Sequence, residues 1–312
     1  MTAQTPTDPA GTVLAHLSDP HLPLPAGLQP LSVLNKRLLS LLSWHTKRCR
    51  DHLRETLDRL VADLHREAPD LIAVTGDLTN LGLDMEYRRA RLWLDSLGDP
   101  ARVMVIPGNH EALVRGAWER GAVHWRPYWQ GDTLQPDVTH AFPTLRRRGP
   151  LALIGVSSAI ASPPGQAVGA VGDAQLKSLA KILRKARAEG LCRVVLIHHP
   201  PLDGTVSQRK SLRDGADLRA LLAREGVELM LHGHSHRSHQ QVLQTRDGPA
   251  PVIGVPSASS MRHEAAAYNL CRISPVAGGW EMTLTPRHLT AEGRMAAGCR
   301  TTLTLARSHA AQ

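Results

Sequence analysis

The sequence predicts an α/β fold in which parallel strand-helix-strand units are followed by antiparallel strands. Short apolar runs alternate with helical patterns over the first two thirds of the chain. In the last third, strand-like runs follow one another with only loops between them, which is typical of antiparallel strands. A third observation is that the predicted strands of the first part end in Asp, Asn or His. We therefore expect a mixed sheet architecture with polar side chains gathered at the strand ends.

The individual elements follow from two hydrophobic periods. Short apolar runs bounded by turn residues predict strands at 12–17, 71–74, 103–106, 151–156, 194–197, 227–231, 252–255, 269–273 and 280–284. Apolar residues three and four positions apart predict helices over 53–64, 85–97, 176–186 and 218–222. We expect residues 11–291 to form one domain, with flexible ends at 1–10 and 292–312.

The composition is that of a globular protein. Hydrophobic residues make up 42% of the 312 residues and charged residues 21%. No apolar run is long enough to cross a bilayer, and the N-terminus lacks the pattern of a signal peptide, so we expect a soluble, cytoplasmic protein. The four cysteines, Cys49, Cys192, Cys271 and Cys299, form no CxxC pair. The sequence therefore indicates neither a disulfide framework nor a thiolate zinc site.

The formal charge of +9 favours an anionic partner. Phosphate esters, nucleic acid and an acidic membrane surface all remain open on this basis. The few aromatic residues are not interleaved with basic stretches, so no specific nucleic-acid partner is indicated. We interpret the run Arg146–Arg148 as a solvated turn.

Polar motifs follow five of the predicted strands. They are HLSDPH with Asp19 and His21, VTGD with Asp77, PGNH with Asn109 and His110, IHHPP with His198 and His199, and LHGHSH with His232, His234 and His236. Each motif is weak alone, because a buried histidine is usually just a hydrogen-bonded core residue. Together, oxygen and nitrogen donors without cysteine are the ligands expected for Mn, Fe or Zn.

The order of these motifs resembles the signature of the calcineurin-like metallophosphoesterases, which is D-x-H, GD, GNH, a later His and GH-x-H. The resemblance covers about residues 12–236. It implies a four-layer αββα sandwich with two mixed β-sheets and a dinuclear metal site at the strand ends. It further implies that Asp19, His21 and His236 hold one metal, that Asn109, His198 and His234 hold the other, and that Asp77 bridges them.

The chemistry implied by the resemblance is hydrolysis of phosphodiester bonds in a small anionic substrate, since the motifs are similar in style to those of cyclic nucleotide and glycerophosphodiester phosphodiesterases. Two divalent or trivalent ions of Mn, Fe or Zn, about 3.5–4 Å apart, would neutralise the ester and supply a bridging hydroxide that attacks phosphorus. His110 is then expected to act as the general acid or to donate to a phosphoryl oxygen. We interpret Glu111 as a helix-start carboxylate in preference to a carboxylate that supports the metal ligands, His199 as a structural residue or one at the cleft rim, and His232 as a structural residue.

Residues 22–50 form an insertion in which Leu31, Leu34, Leu38, Leu41 and Leu42 share one helical face beside Lys and Arg. In one interpretation this helix packs on the domain and buries its leucines. In the other, residues 31–48 lie in a membrane interface or cover a lipid-bearing substrate. The second interpretation accompanies an alternative function, a pyrophosphohydrolase acting on a nucleotide-linked lipid precursor such as a UDP-diacylglucosamine. The protein would then be peripheral to the inner face of a membrane.

Two further classes are less favoured. A non-enzymatic scaffold usually lacks metal ligands, whereas no ligand of the motif is missing here. A nuclease is disfavoured because no dimerisation or DNA-clamping extension is evident. The Gly- and Pro-rich loop Ser162–Gly172 is expected at the rim of the site.

Overall fold

The computed structural model describes residues 11–25, 36–133 and 141–306. The strands are β1 (Thr12–Leu17), β2 (Leu71–Val74), β3 (Val103–Val105), β4 (Thr144–Arg148), β5 (Leu151–Gly155), β6 (Cys192–Leu196), β7 (Leu229–His232), β8 (His239–Thr245), β9 (Gly248–Gly254), β10 (Ala267–Val276), β11 (Gly279–Leu289), β12 (Met295–Ala297) and β13 (Thr301–Ala306). The α-helices are α1 (Lys36–Ser43), α2 (Cys49–Asp51), α3 (Arg54–Glu67), α4 (Asp84–Leu97), α5 (Ala117–Trp129), α6 (Asp173–Ala188) and α7 (Gly215–Glu225). A π-helical turn, Trp44–Arg48, joins α1 to α2, and a 3₁₀ turn covers Gln208–Lys210.

Within these described ranges the strands form two mixed sheets. Sheet 1 has the order β12-β11-β10-β1-β2-β3, with β13 paired to β11. Sheet 2 has the order β4-β5-β6-β7-β9-β8. The strands β1, β2 and β3 are parallel, as are β5, β6, β7 and β9, whereas the C-terminal strands of sheet 1 are antiparallel. The predicted change from parallel to antiparallel strands is confirmed for β10 and β11, whereas β9, which contains most of the predicted run 252–255, is parallel to β7 and antiparallel to β8.

Three clusters of buried apolar side chains lie between the layers and hold them together. One cluster joins sheet 1 to α3, α4 and α5, and it includes Leu60, Ile72 and Trp125. A second joins sheet 2 to α6 and α7, and the third fills the space between the two sheets. The layers therefore run helices, sheet 1, sheet 2, helices, and the four-layer α/β sandwich implied by the resemblance is confirmed.

The C-terminal segment differs from the expectation of a flexible tail over 292–312. Residues 295–306 contain β12 and β13, and β13 pairs with β11 so that Leu305 lies opposite Trp280. Leu305 is fully buried, and Leu303 packs against the cluster between the sheets. Leucines alternate with threonines in this strand, and this period of two buries one face against the core. Residues 1–10 and 307–312 lie outside the described ranges.

The interpretation of Arg146–Arg148 as a solvated turn is also wrong. These residues belong to β4, which pairs antiparallel with β5. The Arg146 side chain is buried and donates to the carbonyl oxygens of Gln130, Pro100, Val103 and Pro127. A strand alternates its side chains between faces, so one arginine of the run points inward and ties β4 to neighbouring loops.

The insertion carries helix α1, and none of the residues of α1 is buried. Leu38 and Leu42 are exposed, so the interpretation that the helix buries its leucines is wrong for them. Leu41 is partly buried and packs against a small cluster of Leu81, Leu83 and Leu113. Leu31 and Leu34 lie outside the described residues. Across the described ranges, no helix is both long and apolar enough to span a membrane.

Candidate dinuclear metal site

The predicted ligands come together at one edge of the sandwich. Asp19 and His21 follow β1, Asp77 follows β2, and Asn109 follows β3, all in sheet 1. His198 follows β6 in sheet 2, and His234 and His236 follow β7. Because these strands are parallel, their carboxyl ends lie side by side, which is where open α/β sheets place ligands. Both sheets thus contribute to one buried polar cluster.

Asp77 lies between the two halves of the cluster. Its Oδ2 atom is 3.9 Å from Nε2 of His21 and 3.4 Å from Nε2 of His198. Burial favours a neutral carboxyl, but His198 and His110 outweigh burial and lower the pKa of Asp77 to about 2. Asp77 is therefore an anion that faces one imidazole from each sheet.

The half of the cluster around His21 is tightly packed. Nε2 of His21 lies 3.3 Å from Nε2 of His236, which in turn lies 3.1 Å from Oδ1 of Asp19. The other nitrogen of His21, Nδ1, is 3.4 Å from the carbonyl oxygen of Thr79. The same Nδ1 also lies 2.8 Å from a guanidinium nitrogen of Arg48, so this side of the His21 ring faces both a carbonyl and a cation.

In the half of the cluster around His198, histidine nitrogens likewise face backbone carbonyl oxygens on one side and other predicted ligands on the other. Nδ1 of His198 lies 2.6 Å from the carbonyl oxygen of Thr75, while Nε2 lies 3.2 Å from Oδ1 of Asn109. Nε2 of His234 lies 3.0 Å from the carbonyl oxygen of Lys210, which leaves its Nδ1 for a metal. Single donor atoms of Asp77, His198 and His234 all lie within 4.8 Å of one another. This donor set fits an ion that accepts nitrogen and oxygen ligands, such as Mn, Fe or Zn.

The backbone at the site is unusual. Among the described residues other than glycine, those with positive φ are Asp19, His21, Ala68, Asp77, His234 and His236. All but Ala68 are predicted ligands. The left-handed region is uncommon for residues with a Cβ, although Asp and His tolerate it better than most, and such outliers cluster at functional sites.

Two glycines of the motifs allow the loops to approach each other. A Cβ at Gly108 would overlap the Asp77 carboxylate, and a Cβ at Gly233 would overlap Ser18. Glycine is required at both positions because the neighbouring chain occupies the space of a side chain. This explains the abrupt Pro-Gly end of β3, which lets Asn109 and His110 project beside Asp77.

Glu111 stabilises the loops that carry the predicted ligands, and it does not begin a helix. Its carboxylate accepts from the backbone N–H groups of Asp77, Thr79 and Gly108, at 2.7–2.8 Å. Helix α5 begins only at Ala117, so the helix-start interpretation is wrong. Burial, followed by the charge of Asp77, raises the pKa of Glu111 to about 7. One carboxylate thus fixes the loops that carry two of the predicted ligands.

His110 lies at the open side of the cluster. Its Nδ1 is 2.6 Å from the carbonyl oxygen of Asn80, and its Nε2 is 3.1 Å from a guanidinium nitrogen of Arg48. A guanidinium can only donate, so Nε2 accepts and the Nδ1–H tautomer is present. Burial, followed by the Arg48 charge, lowers the pKa of His110 to about 4. Nε2 of His110 therefore faces Arg48, and both side chains line the space in front of the cluster.

The insertion and the residues directly after it supply two side chains that the sequence motifs miss. Arg48 contacts His110 and also lies 3.0 Å from Nε2 of His21. His52 is buried, its ring centroid is 4.5 Å from that of His21, and burial lowers its pKa to about 2. The only sequence signal for Arg48 is its place in a basic segment, and His52 carries no motif at all. His199 and His232 are buried with hydrogen bonds to neighbouring groups, as expected for structural residues.

A cavity of about 330 Å³ opens in front of the cluster. Asn109 and His110 line it together with the basic residues Lys36, Arg48, Arg209 and Lys210. The predicted rim loop contributes Gly165 to Ala167, and Nζ of Lys36 donates to the Ser162 and Gln166 carbonyl oxygens of that loop. The lining residues include no Asp or Glu, so the cavity favours an anionic ligand.

Comparison with known proteins agrees with this geometry. Residues 12–238 match the family of calcineurin-like phosphoesterases, and this range contains every predicted ligand. The chain belongs to the calcineurin-like phosphoesterase family. It is a dinuclear metal-dependent phosphoric ester hydrolase.

Two curated relatives of this calcineurin-like phosphoesterase are named probable cyclic nucleotide phosphodiesterases. One, from Synechococcus sp. strain WH7803, is 30% identical over 257 residues, which cover 78% of this chain and 81% of that protein. The other, from Synechococcus sp. strain ATCC 27144, is 28% identical over 200 residues, covering 63% of this chain and 68% of that protein. A dimetal phosphatase from Danio rerio has a TM-score of 0.59 at 13% identity, over 95% of this chain and 99% of that one, which shows the shared fold.

Proposed function

We propose that the protein hydrolyses phosphodiester bonds at two metal ions held by Asp19, His21, Asp77, Asn109, His198, His234 and His236. The observation that carries this proposal is the position of Asp77, whose Oδ2 faces Nε2 of His21 on one side and Nε2 of His198 on the other. A carboxylate placed between two sets of nitrogen donors is suited to bridge two cations. When bound, the metal pair supplies a hydroxide nucleophile near neutral pH and neutralises charge on the ester.

The roles of the chain's own residues follow from their positions. His110 presents Nε2 to the cavity and donates a proton to the leaving oxygen, or a hydrogen bond to a phosphoryl oxygen, when that nitrogen is protonated. Arg48 reaches the same space with a fixed positive charge and contacts phosphate oxygens. Glu111 keeps the loops after β2 and β3 in register, so that Asp77 and Asn109 stay in place.

The size and the basic lining of the cavity are suited to a small anionic substrate. The names of the two relatives favour a cyclic nucleotide, which is a phosphodiester, and the basic walls suit its charge. A manganese-loaded sample should hydrolyse bis(p-nitrophenyl) phosphate and at least one cyclic nucleotide faster than p-nitrophenyl phosphate. The Asp77→Asn variant serves as the metal-deficient control. Faster turnover of the monoester than of every diester tested would overturn the proposal.

The exposed face of α1 favours a second candidate function, hydrolysis of an amphiphilic substrate such as a nucleotide-linked lipid precursor. Leu38, Leu39 and Leu42 are exposed, and Leu39 also lines the cavity wall. An apolar surface beside a basic cavity matches a substrate with an acyl chain and a phosphate. Leu38 and Leu42 can be replaced by Ser together. If the candidate is right, the double variant loses liposome binding and turnover of a UDP-linked lipid while it keeps turnover of the chromogenic diester.

The result that rejects the second candidate is equally direct. A wild-type protein that neither sediments with anionic liposomes nor cleaves the lipid ester would assign these leucines to another role. The matched control is Leu92→Ser, because Leu92 is an exposed leucine on α4 and does not line the cavity.

A further inference from the structure

His52 lies beside the predicted metal ligands although it belongs to none of the five motifs. One nitrogen each of His21, His52 and His236 lie within 4.8 Å of one another. Two ligand atoms about 2.1 Å from the same zinc-sized ion are themselves roughly 3–4 Å apart, so this spacing is close to that of a shared ion. The His52 ring also meets the other two rings edge to face, with its centroid 4.5 Å from that of His21 and 5.6 Å from that of His236.

The His52 ring is held in a defined orientation. Nδ1 lies 2.8 Å from Oγ of Ser259, and the ring lies nearly parallel to Trp44, with an interplanar angle of 9°. The backbone of His52 is fixed as well, because its N–H donates to the carbonyl oxygen of Arg48. Both His52 and Trp44 are buried. A ring that uses Nδ1 for a hydrogen bond keeps Nε2 for a ligand, which is the usual arrangement of metal-binding histidines.

The same serine loop that holds His52 also holds a predicted ligand. Oγ of Ser257 donates to the carbonyl oxygen of Asp19 at 2.7 Å, and the backbone N–H of Ser259 donates to Oγ of Ser257. The position of His52 is therefore coupled through two serines to the loop after β1. Such a shared support is expected where two groups must meet at one ion.

We propose that His52 is an additional ligand of the metal held by Asp19, His21, Asp77 and His236. That metal would then have three imidazole ligands, whereas the metal at Asn109, His198 and His234 would have two. The residue that follows the insertion and α2 would thereby complete one half of the metal site. The two sites are expected to differ in affinity, with the site around His21 the tighter one. The proposal rests on the proposed ligand set, but it does not depend on which ester is cleaved.

The test is a titration of the metal-free protein with Co²⁺, followed by absorption spectroscopy. His52→Phe keeps a flat ring against Trp44 but has no nitrogen donor. We expect this variant to bind one of two cobalt ions at least tenfold more weakly and to show a changed visible spectrum. His52→Gly with added imidazole should recover the wild-type spectrum.

The matched control is His199→Phe. His199 is a buried histidine whose ring lies 4.4 Å from that of His234, but its two nitrogens already face Ser158 and Ala167. This variant should leave the cobalt affinities and spectrum close to wild type. Unfolding of each metal-free variant is followed in parallel, so that a loss of fold is separated from a loss of ligand.

A measurement on the wild type keeps the proposal testable even if the variants misfold. Pulsed EPR of protein loaded with one equivalent of Mn²⁺ counts the coordinated imidazole nitrogens through histidine isotope labelling. Three are expected, and two would overturn the proposal. Wild-type cobalt affinity and spectrum in folded His52→Phe would overturn it as well. Loss of diester turnover with three imidazoles still coordinated would count against the proposed function alone.

Discussion

The carboxylate of Glu111 accepts a hydrogen bond of 2.8 Å from the backbone N–H of Asp77. The same carboxylate accepts from the N–H of Gly108, so it joins the loops after β2 and β3. In Glu111→Gln, the amide has one acceptor oxygen and presents an NH₂ group to backbone donors. We expect metal affinity to fall by about 10–100-fold, the usual effect of removing a supporting group. Calorimetric titration of the metal-free protein with Mn²⁺ measures this change.

The control for Glu111 is Glu119→Gln, which changes an exposed glutamate on the first turn of α5. It should bind metal like the wild type. Unchanged metal affinity in folded Glu111→Gln would show that the two loops hold their positions without this carboxylate.

His110 and Asn109 are adjacent, yet we predict different effects for them. His110→Ala should lower kcat by about 10²–10⁴-fold, which is the range for a proton-transfer group, with little loss of metal. Asn109→Ala should instead release one metal, because its Oδ1 lies 3.2 Å from Nε2 of His198 in the predicted site. Steady-state kinetics with metal analysis separates the two. If His110→Ala lost metal as severely as Asp77→Ala, His110 would be a ligand.

Arg48 is predicted to bind substrate and to compete with metal for His21. Arg48→Ala should raise KM for the diester, because the variant lacks a donor to the phosphate oxygens. Its metal affinity should stay equal or increase, because a guanidinium 3.0 Å from Nε2 of His21 repels a cation there. Lys47→Ala removes an exposed charge from the same turn and serves as the control. A weaker metal affinity in Arg48→Ala would contradict the assignment.

We predict that Asp63 makes the free energy of unfolding depend on pH. Its carboxylate accepts from Arg287 at 2.7 and 2.8 Å and from the hydroxyl of Tyr268, joining α3 to β10 and β11. Burial raises the pKa of Asp63, but the hydrogen bonds of Arg287, Arg66 and Tyr268 outweigh burial and lower it. A lowered folded pKa means that the stabilisation is complete above the unfolded value of about 3.9 and is lost as pH falls through the folded value.

Asp63→Asn should therefore lower the free energy of unfolding at pH 7 by about 1.5–3 kcal/mol, the range for hydrogen bonds to a charged group. The difference from the wild type should shrink as the pH falls below about 4. Urea unfolding at several pH values measures it. Asp58→Asn, on the same helix, removes an exposed pair with Arg54 and should have a much smaller effect. A difference that stays constant down to pH 3 would contradict the charge-based explanation.

The sequence predicts the sheets and the motif residues because both depend on local patterns. A core strand such as β1 is a run of apolar residues, and a motif such as PGNH joins a strand end, a turn and a donor within a few positions. The parallel strands then bring distant motifs to one edge of the sandwich without any further information. Asp77 and His198 are 121 positions apart, yet each is recognisable from its own neighbourhood.

The sequence does not predict the path of the insertion across the site. Arg48 and His52 reach His21 only because residues 44–52 fold back over the strand ends, and this path depends on contacts such as that of His52 with Ser259, 207 positions away. The helix-start interpretation of Glu111 fails for a related reason. Its partners are backbone N–H groups of other loops, which leave no side-chain pattern in the sequence.

The metal site lowers the stability of the folded protein through its backbone. Positive φ values, which are unfavourable for residues with a Cβ, occur at Asp19, His21, Asp77, His234 and His236. Each such residue lowers the free energy of unfolding by about 1 kcal/mol, whereas a glycine in the same conformation would not lower it. A library selected only for thermal stability, without metal, should therefore accumulate glycine at these positions and lose the site first. Stability and activity diverge there, so a screen for robust variants of this protein has to select for metal binding at the same time.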